Sequence, residues 1–336
     1  MNKRLVWADS IRGILILLVV LGHAIQKTLG DECELNHLWN AIYSFHMAAF
    51  MAISGYLAYR PSGLGGGKNG SIISLLYRRV RQLIIPFFLW TAMLLITNNR
   101  LTTDAILNSI LYPDKGGLWF LWVLFFINVI FVICSSLAER IKLKQELVIF
   151  LTCIALIGIM IVLDIRVFGF QFIAYYFVFY SIGYYLHKYY KSLLTKNVYL
   201  IAALTVLWAA MAWFWNMHEL PPPLAKVPMP ATITQYAYRF VTAIVAVYVS
   251  ICVSPRLLDV DSKWNRPFVK MGVVSLGIYT THFIILGYIV SWFASIISSD
   301  SVVISMSFII GALVSWLIVW VLGKWKVTSQ LLLGKI

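Results

Sequence analysis

Charge is what this 336-residue chain lacks. Asp, Glu, Lys and Arg make up 12% of it, about half the share found in a soluble globular domain, and acids are the scarcer kind, 13 against 27 bases. With 61% hydrophobic residues and a mean hydropathy of +0.85, the two soluble domains that the length would allow are excluded. Cysteine is scarce too: Cys134, Cys153 and Cys252 lie in apolar runs and Cys33 stands alone between runs, so there is no disulfide framework and no redox or zinc motif. A phosphate loop is also missing. Gly63, Gly65, Gly66, Gly67 and Gly70 surround Lys68, but Ser62 occupies the place of the motif's first glycine and Asn69 that of the Ser or Thr after the lysine. The segment reads as a flexible cytoplasmic linker.

What the chain has in excess is apolar length. Runs able to cross a bilayer, about 17–25 residues each, occur ten times, at 10–28, 40–59, 80–97, 117–136, 146–163, 168–187, 198–216, 236–253, 270–292 and 302–323. They predict an all-α polytopic membrane protein of about ten transmembrane helices, one domain over 1–336. The narrowest gap, around Asp164 and Arg166, also admits a re-entrant pair in place of the fifth and sixth spans. Short cytoplasmic loops collect Lys and Arg. With the N-terminus inside, twenty bases fall in inner segments, among them Arg78, Arg79 and Arg81, and five in outer ones, Lys27, Arg100, Lys115, Arg166 and Lys226. The alternation holds through ten spans and puts both termini in the cytoplasm. The net charge of +14 is thus mostly an orientation signal, and nucleic acid is not needed to explain it. The opening MNKR before an apolar run is not read as a cleaved signal peptide, because that run carries an Arg and a His and nine more follow.

Two bases, Arg12 and Arg239, belong to helices and not to loops. An ionisable residue inside a span costs about 2.5–3.5 kcal/mol on insertion scales, so each is a functional candidate. Arg12 shares its helix with His23. Eleven residues at 100° apiece fall about 20° from three whole turns, so the two side chains share a face, about 16 Å apart along the axis. A guanidinium suits phosphate, which it grips with two parallel bonds, and an imidazole suits removal of a proton from a hydroxyl near neutral pH. The pair points to a long ligand held at one end with its reactive end beside the ring. The plainer alternative is an Arg12 that snorkels to inner headgroups and a His23 that hydrogen-bonds between helices.

The run WADSIRGILILLVVLGH, with ten residues between Arg12 and His23, resembles the start of the acyltransferase-3 family of integral membrane acyltransferases. FHMAAFMAISGYL (45–57) is similar to the family's second-span motif, and its FHM opening to the branch named for fucose 4-O-acetylation, with Ala48 where that branch commonly has Pro. RRVRQLIIPFFLW (78–90), Trp119 to Leu121 and SLGIYTTH (275–282) follow in the family's order. The resemblance implies an O-acyltransferase that moves an acyl group, usually acetyl, from cytoplasmic acyl-CoA to a carbohydrate hydroxyl, with Arg12 and His23 essential. It implies acetyl-CoA as co-substrate, no metal, a cell-surface or lipid-linked glycan acceptor, and a bacterial cytoplasmic membrane.

Other residues are candidates for the same chemistry. His46 and His282 fall by the topology in the same outer half as His23, and Ser275, Tyr279 and His282 share a face, which suggests an acceptor-side polar wall. Arg78, Arg79 and Arg81 are well placed for the donor's phosphates, although topology alone accounts for them. Arg239 would pair with an acid such as Asp31 or Glu219, or touch the acceptor. Ser54 and Gly55 read as a site of close helix approach. The Pro-rich loop 221–230 reads as a rim over the outer opening. The rival function is a glycolipid or polysaccharide transporter or flippase, with a membrane sensor or scaffold behind it.

Overall fold

The computed structural model describes residues 5–60, 72–258 and 262–335, with the backbone alone for Lys191 and Ser192. The glycine cluster around Lys68 lies outside the described residues. Among the described residues every regular element is helical, in the order α1 (Val6–Leu29), α2 (His37–Tyr43), α3 (His46–Ala58), α4 (Ile72–Arg79), α5 (Ile85–Thr97), α6 (Thr103–Leu111), α7 (Trp119–Arg140), α8 (Gln145–Leu163), α9 (Phe170–Lys188), α10 (Tyr190–Leu193), α11 (Val198–Trp213), α12 (Ala231–Leu257), α13 (Arg266–Val273), α14 (Ser275–Ala294), α15 (Asp300–Leu322) and α16 (Lys326–Leu331). Nine stretches of the described residues are long and apolar enough to cross a membrane. The protein is an all-α, multi-pass membrane protein.

The seventh expected span is shorter than predicted. Helix α11 has 16 residues, about 24 Å at 1.5 Å per residue, short of a hydrocarbon core of about 30 Å. Its flanks supply the rest. Arg256 Nη2 donates to Thr195 O at 2.8 Å and, at the far end, Gln235 Nε2 donates to Met217 O at 2.8 Å. Gln235 and Arg256 are separated by about 32 Å of helix at that rise. The segment from Thr195 to Met217 therefore matches the full height of α12, and it makes a crossing although its helix alone falls short.

Elsewhere the predicted spans are broken or bent. The second comprises α2 and α3, with a turn at Ser44 and Phe45, and the ninth begins as α13 and restarts after Val274 as α14. The third carries a π-helical turn, Val80–Ile84, just before Pro86, whose missing N–H frees the carbonyl of Gln82. Helices α8 and α9 are two whole spans and not a re-entrant pair. Glu146 at the start of one pairs with Lys188 at the end of the other, and at the opposite end Gln171 donates to Asp164 Oδ1 at 2.7 Å.

The chain divides into two compact units, Met1–Ile53 with Lys191–Leu317, and Ser54–Tyr190 with Ile318–Ile336. In the first, α1 is the central element: Leu15, Ile16, Val20 and Ala24 have no exposed surface. Its N-terminal half lies backbone to backbone on α13. A Cβ at Gly13 would sit 1.9 Å from Phe268 O, and one at Gly272 1.7 Å from Asp9 O, so only glycine permits this approach. In the second unit Phe131, Phe177 and Tyr180 form the core, and Tyr180 OH donates to Asn128 Oδ1 at 3.1 Å. A Cβ on Gly55 would meet Tyr180 O at 1.9 Å, which gives this glycine its packing role. Gly334 plays the same part against the freed carbonyl of Gln82, 2.4 Å from its would-be Cβ.

Candidate active site

Arg12 and His23 stand on one unbroken helix. No Pro interrupts Val6–Leu29, and Gly30, with φ +59°, ends it. Arg12 Nη2 donates to Ser275 Oγ at 3.1 Å, and Nη1 lies 3.8 Å from Asp9 Oδ1. Ser275 is the first residue of α14, buried where the chain restarts after Val274. Eleven residues on, the His23 ring lies 5.3 Å from that of His282, also on α14. The contacts run in the same order along both helices, so α1 and α14 are parallel. First and ninth runs can be parallel only if α11 is counted among the crossings between them.

Around His23 the structure gathers residues from four helices. His23 Nδ1 lies 3.0 Å from Gln26 Oε1, one turn along α1. Tyr43 OH donates to the same Gln26 oxygen at 3.2 Å and lies 3.5 Å from His23 Nδ1. Tyr43 occupies the space left by the absent side chain of Gly22, whose Cβ would meet its Cε2 at 2.8 Å. Its other face stacks on Trp39, centroids 3.9 Å apart. The His46 ring is 4.9 Å from Tyr43, Phe283 meets His23 edge-on at 5.4 Å, and Lys27 Nζ sits 4.1 Å over Phe283.

Two of the three histidines are held in the same way. His46 Nδ1 donates to Ile42 O at 2.7 Å and His282 Nδ1 to Ile278 O at 3.0 Å, so each neutral ring keeps its lone pair on Nε2. His282 Nε2 is buried and has no hydrogen-bond partner. Tyr279, 5.8 Å from His282 between ring centroids, completes the α14 face. Among the described residues no group of three or more His, Cys, Asp or Glu could hold a metal ion.

The remaining expected residues stand elsewhere. Arg239 lies against Trp215, its guanidinium carbon 5.5 Å from the ring, with Nη1 3.5 Å from Met217 O. Among the described residues no acid pairs with it, and Glu34 instead pairs with His218 at 2.8 Å. Ring contacts through Trp215, Trp39 and Tyr43 lead from it toward the histidines. Arg78, Arg79 and Arg81 belong to the second unit, where Arg79 Nη1 donates to Gln82 Oε1 at 3.1 Å and Arg81 lies 5.9 Å from the Tyr77 ring. Gln26 and Tyr43 are the residues that sequence reasoning missed. Gln26 carries a local signal, three positions after His23 on a helix; Tyr43 carries none, because its contact depends on how α2 packs.

Residues 5–323 match the acyltransferase-3 family model, described as an acyltransferase domain. The chain belongs to the acyltransferase-3 family. Among curated proteins it is similar to the nodulation protein NolL of Sinorhizobium fredii (strain NBRC 101917 / NGR234), 34% identical over 168 residues, 46% of this chain and 44% of that protein. The NolL of Mesorhizobium japonicum (strain LMG 29417 / CECT 9101 / MAFF 303099) is 32% identical over 133 residues, 37% of this chain and 34% of its own. The matches thus span less than half the length of these relatives. No solved structure matches. Within the acyltransferase-3 domain, the stretch 45–57 begins at the break between α2 and α3 and ends at the Gly55 contact. The stretch 275–282 begins at the restart of α14 and supplies both partners of the α1 pair, Ser275 and His282.

Proposed function

We propose that this protein is a membrane O-acetyltransferase that moves an acetyl group from cytoplasmic acetyl-CoA to a hydroxyl of a cell-surface or lipid-linked carbohydrate, with His23 as general base. The observation that carries the reading is that Arg12 and His23, about three turns apart, touch the same neighbouring helix at Ser275 and His282. One face thus offers a phosphate-binding cation at one height and an imidazole at another. The FHM opening, similar to the branch named for fucose 4-O-acetylation, supports a carbohydrate acceptor.

In this reading both termini are cytoplasmic, in a bacterial cytoplasmic membrane, and the donor arrives from the inside. Its phosphates meet Arg12, and the pantetheine arm runs along α1. His23 Nε2 takes the proton of the acceptor hydroxyl as that oxygen attacks the thioester carbonyl. The carbon–sulfur bond breaks, and the thiolate leaves with the proton returned from the imidazolium. His46, Tyr279 and His282 line the acceptor side, and Arg239 meets the acceptor further out. Holding both substrates in one site supplies much of the rate.

The test is acetylation of surface glycans in cells that carry His23→Ala or Arg12→Ala. Both should lose it while the protein inserts normally, and full acetylation in either variant would overturn the reading. Binding of acetyl-CoA to the purified protein separates this reading from a flippase, which has no use for the donor. Helix breaks in corresponding positions of the two halves often mark transporters. Here they fall in the second and ninth of ten crossings, not in the second and seventh.

A further inference from the structure

We infer that Gln26, held by Tyr43, is a positioning residue that fixes the tautomer of His23, so that its Nε2 is the basic nitrogen. This rests on the reading of His23 as the base, and it deepens that reading.

A neutral imidazole carries one N–H and one lone pair, and the group bonded to the first decides where the second points. For His46 and His282 the bonded group is a backbone carbonyl, which can only accept. His23 has no such carbonyl among its partners; its Nδ1 faces the side-chain amide of Gln26 at 3.0 Å. An amide offers an oxygen and an NH2 group, so by itself Gln26 could hold either tautomer. In the structure it is the oxygen that faces the ring: Gln26 Oε1 lies 3.0 Å from His23 Nδ1 and 3.2 Å from the Tyr43 hydroxyl, which donates to it, so the oxygen accepts from both. Trp39 stacks on one face of Tyr43 and Gly22 leaves it room, so the hydroxyl is held at this spot by packing.

The partner of the base is therefore a neutral amide, where many nucleophile and base pairs use a carboxylate. The ionisable groups facing His23 are Lys27 on its own helix, Tyr43 on α2, His46 on α3 and His282 on α14. None of these is a carboxylate. The arrangement orients the ring through a neutral amide.

The experiment is nitrogen NMR on the full chain in lipid nanodiscs, with 15N-labelled histidine and His23 assigned by its loss in His23→Ala. Near pH 8 His23 should show a protonated Nδ1 and a bare Nε2. In Gln26→Ala its two resonances should move toward the average of the two tautomers, and Tyr43→Phe should produce a smaller shift in the same direction. The signals of His46 and His282, fixed by backbone carbonyls, should stay in place and so report that the fold is intact. A bare Nδ1 in the unaltered protein would overturn the inference, as would an unchanged His23 spectrum in Gln26→Ala. Gln26→Asn, which shortens the arm but keeps the amide, covers the case in which Gln26→Ala does not fold: a retained pure tautomer in that variant counts against the inference. These readouts need no acceptor. An inactive His23→Ala with a mixed His23 tautomer in the unaltered protein would sink the positioning role alone, and an active His23→Ala would sink the acyltransferase reading alone.

Discussion

At the scale of single residues, Arg12 and His23 show how one helix can carry two candidate site residues on one face. The guanidinium reaches Ser275 Oγ and the carboxylate of Asp9, which uses its planar set of donors in two directions. An ammonium has neither the fork nor the reach. Arg12→Lys should therefore raise the apparent KM for acetyl-CoA roughly tenfold, a loss of about 1.4 kcal/mol, and leave kcat closer to normal. Steady-state kinetics on purified protein would show it, and an unchanged KM would remove Arg12 from the donor site. The co-facial placement of these two residues was legible in the sequence, because it depends only on the period of one unbroken helix. Gln26 was within reach of the same argument. His46 and His282 were legible as polar residues at the depth of His23, but their grouping around it with Tyr43 was not, because it requires knowing which helices are neighbours.

At the scale of elements, glycine sets the spacing. Gly13 and Gly272 bring α1 and α13 into backbone contact, and that contact sets α1 beside the point where α14 begins, within reach of Arg12. Gly13→Ala or Gly272→Ala would force a methyl into a carbonyl, and overpacking of this kind costs about 1–3 kcal/mol. Thermal denaturation in detergent should show a clearly lower Tm for either variant. Gly22→Ala should behave differently. Its Cβ would meet a ring carbon of Tyr43 at 2.8 Å, a side chain that can swing aside, and Ala is the better helix former by about 1 kcal/mol. Tm should stay within a few degrees of normal while acetylation falls, because Tyr43 no longer holds Gln26. A variant with full activity would show that the Tyr43 contact is dispensable. The Ser-Gly of the second span read as a packing motif, and Gly55 against Tyr180 O confirms that reading. The breaks at Ser44, Phe45 and Val274 were not legible, since the hydropathy runs continuously through them.

At the scale of the whole molecule, one short helix decides the order of the crossings. Helix α11 is too short by its own length, yet its flanks are tied to α12 at Gln235 and Arg256, and parallel α1 and α14 require it to cross. Single cysteines at Lys196 and His218, compared against the background of the native cysteines, test this directly in intact cells with a membrane-impermeant maleimide. Lys196→Cys should be protected and His218→Cys labelled. Labelling of both would mean that α11 does not cross, and the reverse pattern would put the termini outside.

The sequence by itself determined that this chain lives in a membrane, how many times it crosses to within one helix, its family, and the pair Arg12 and His23. Those properties are written in composition, in hydropathy along the chain and in the period of a single helix, each of which is local. Only the tertiary structure decided that α14 stands beside α1 with Ser275 and His282 at the two matching heights. It also decided that Tyr43 and Gln26 meet at His23, and that Arg239 lies over Trp215 with no acid paired to it among the described residues. Lipid is as apolar as the side chains it touches, so hydropathy says that a helix spans but not which neighbour it takes. That choice rests on close contact at Gly13, Gly22 and Gly272, and on hydrogen bonds between residues far apart in the chain.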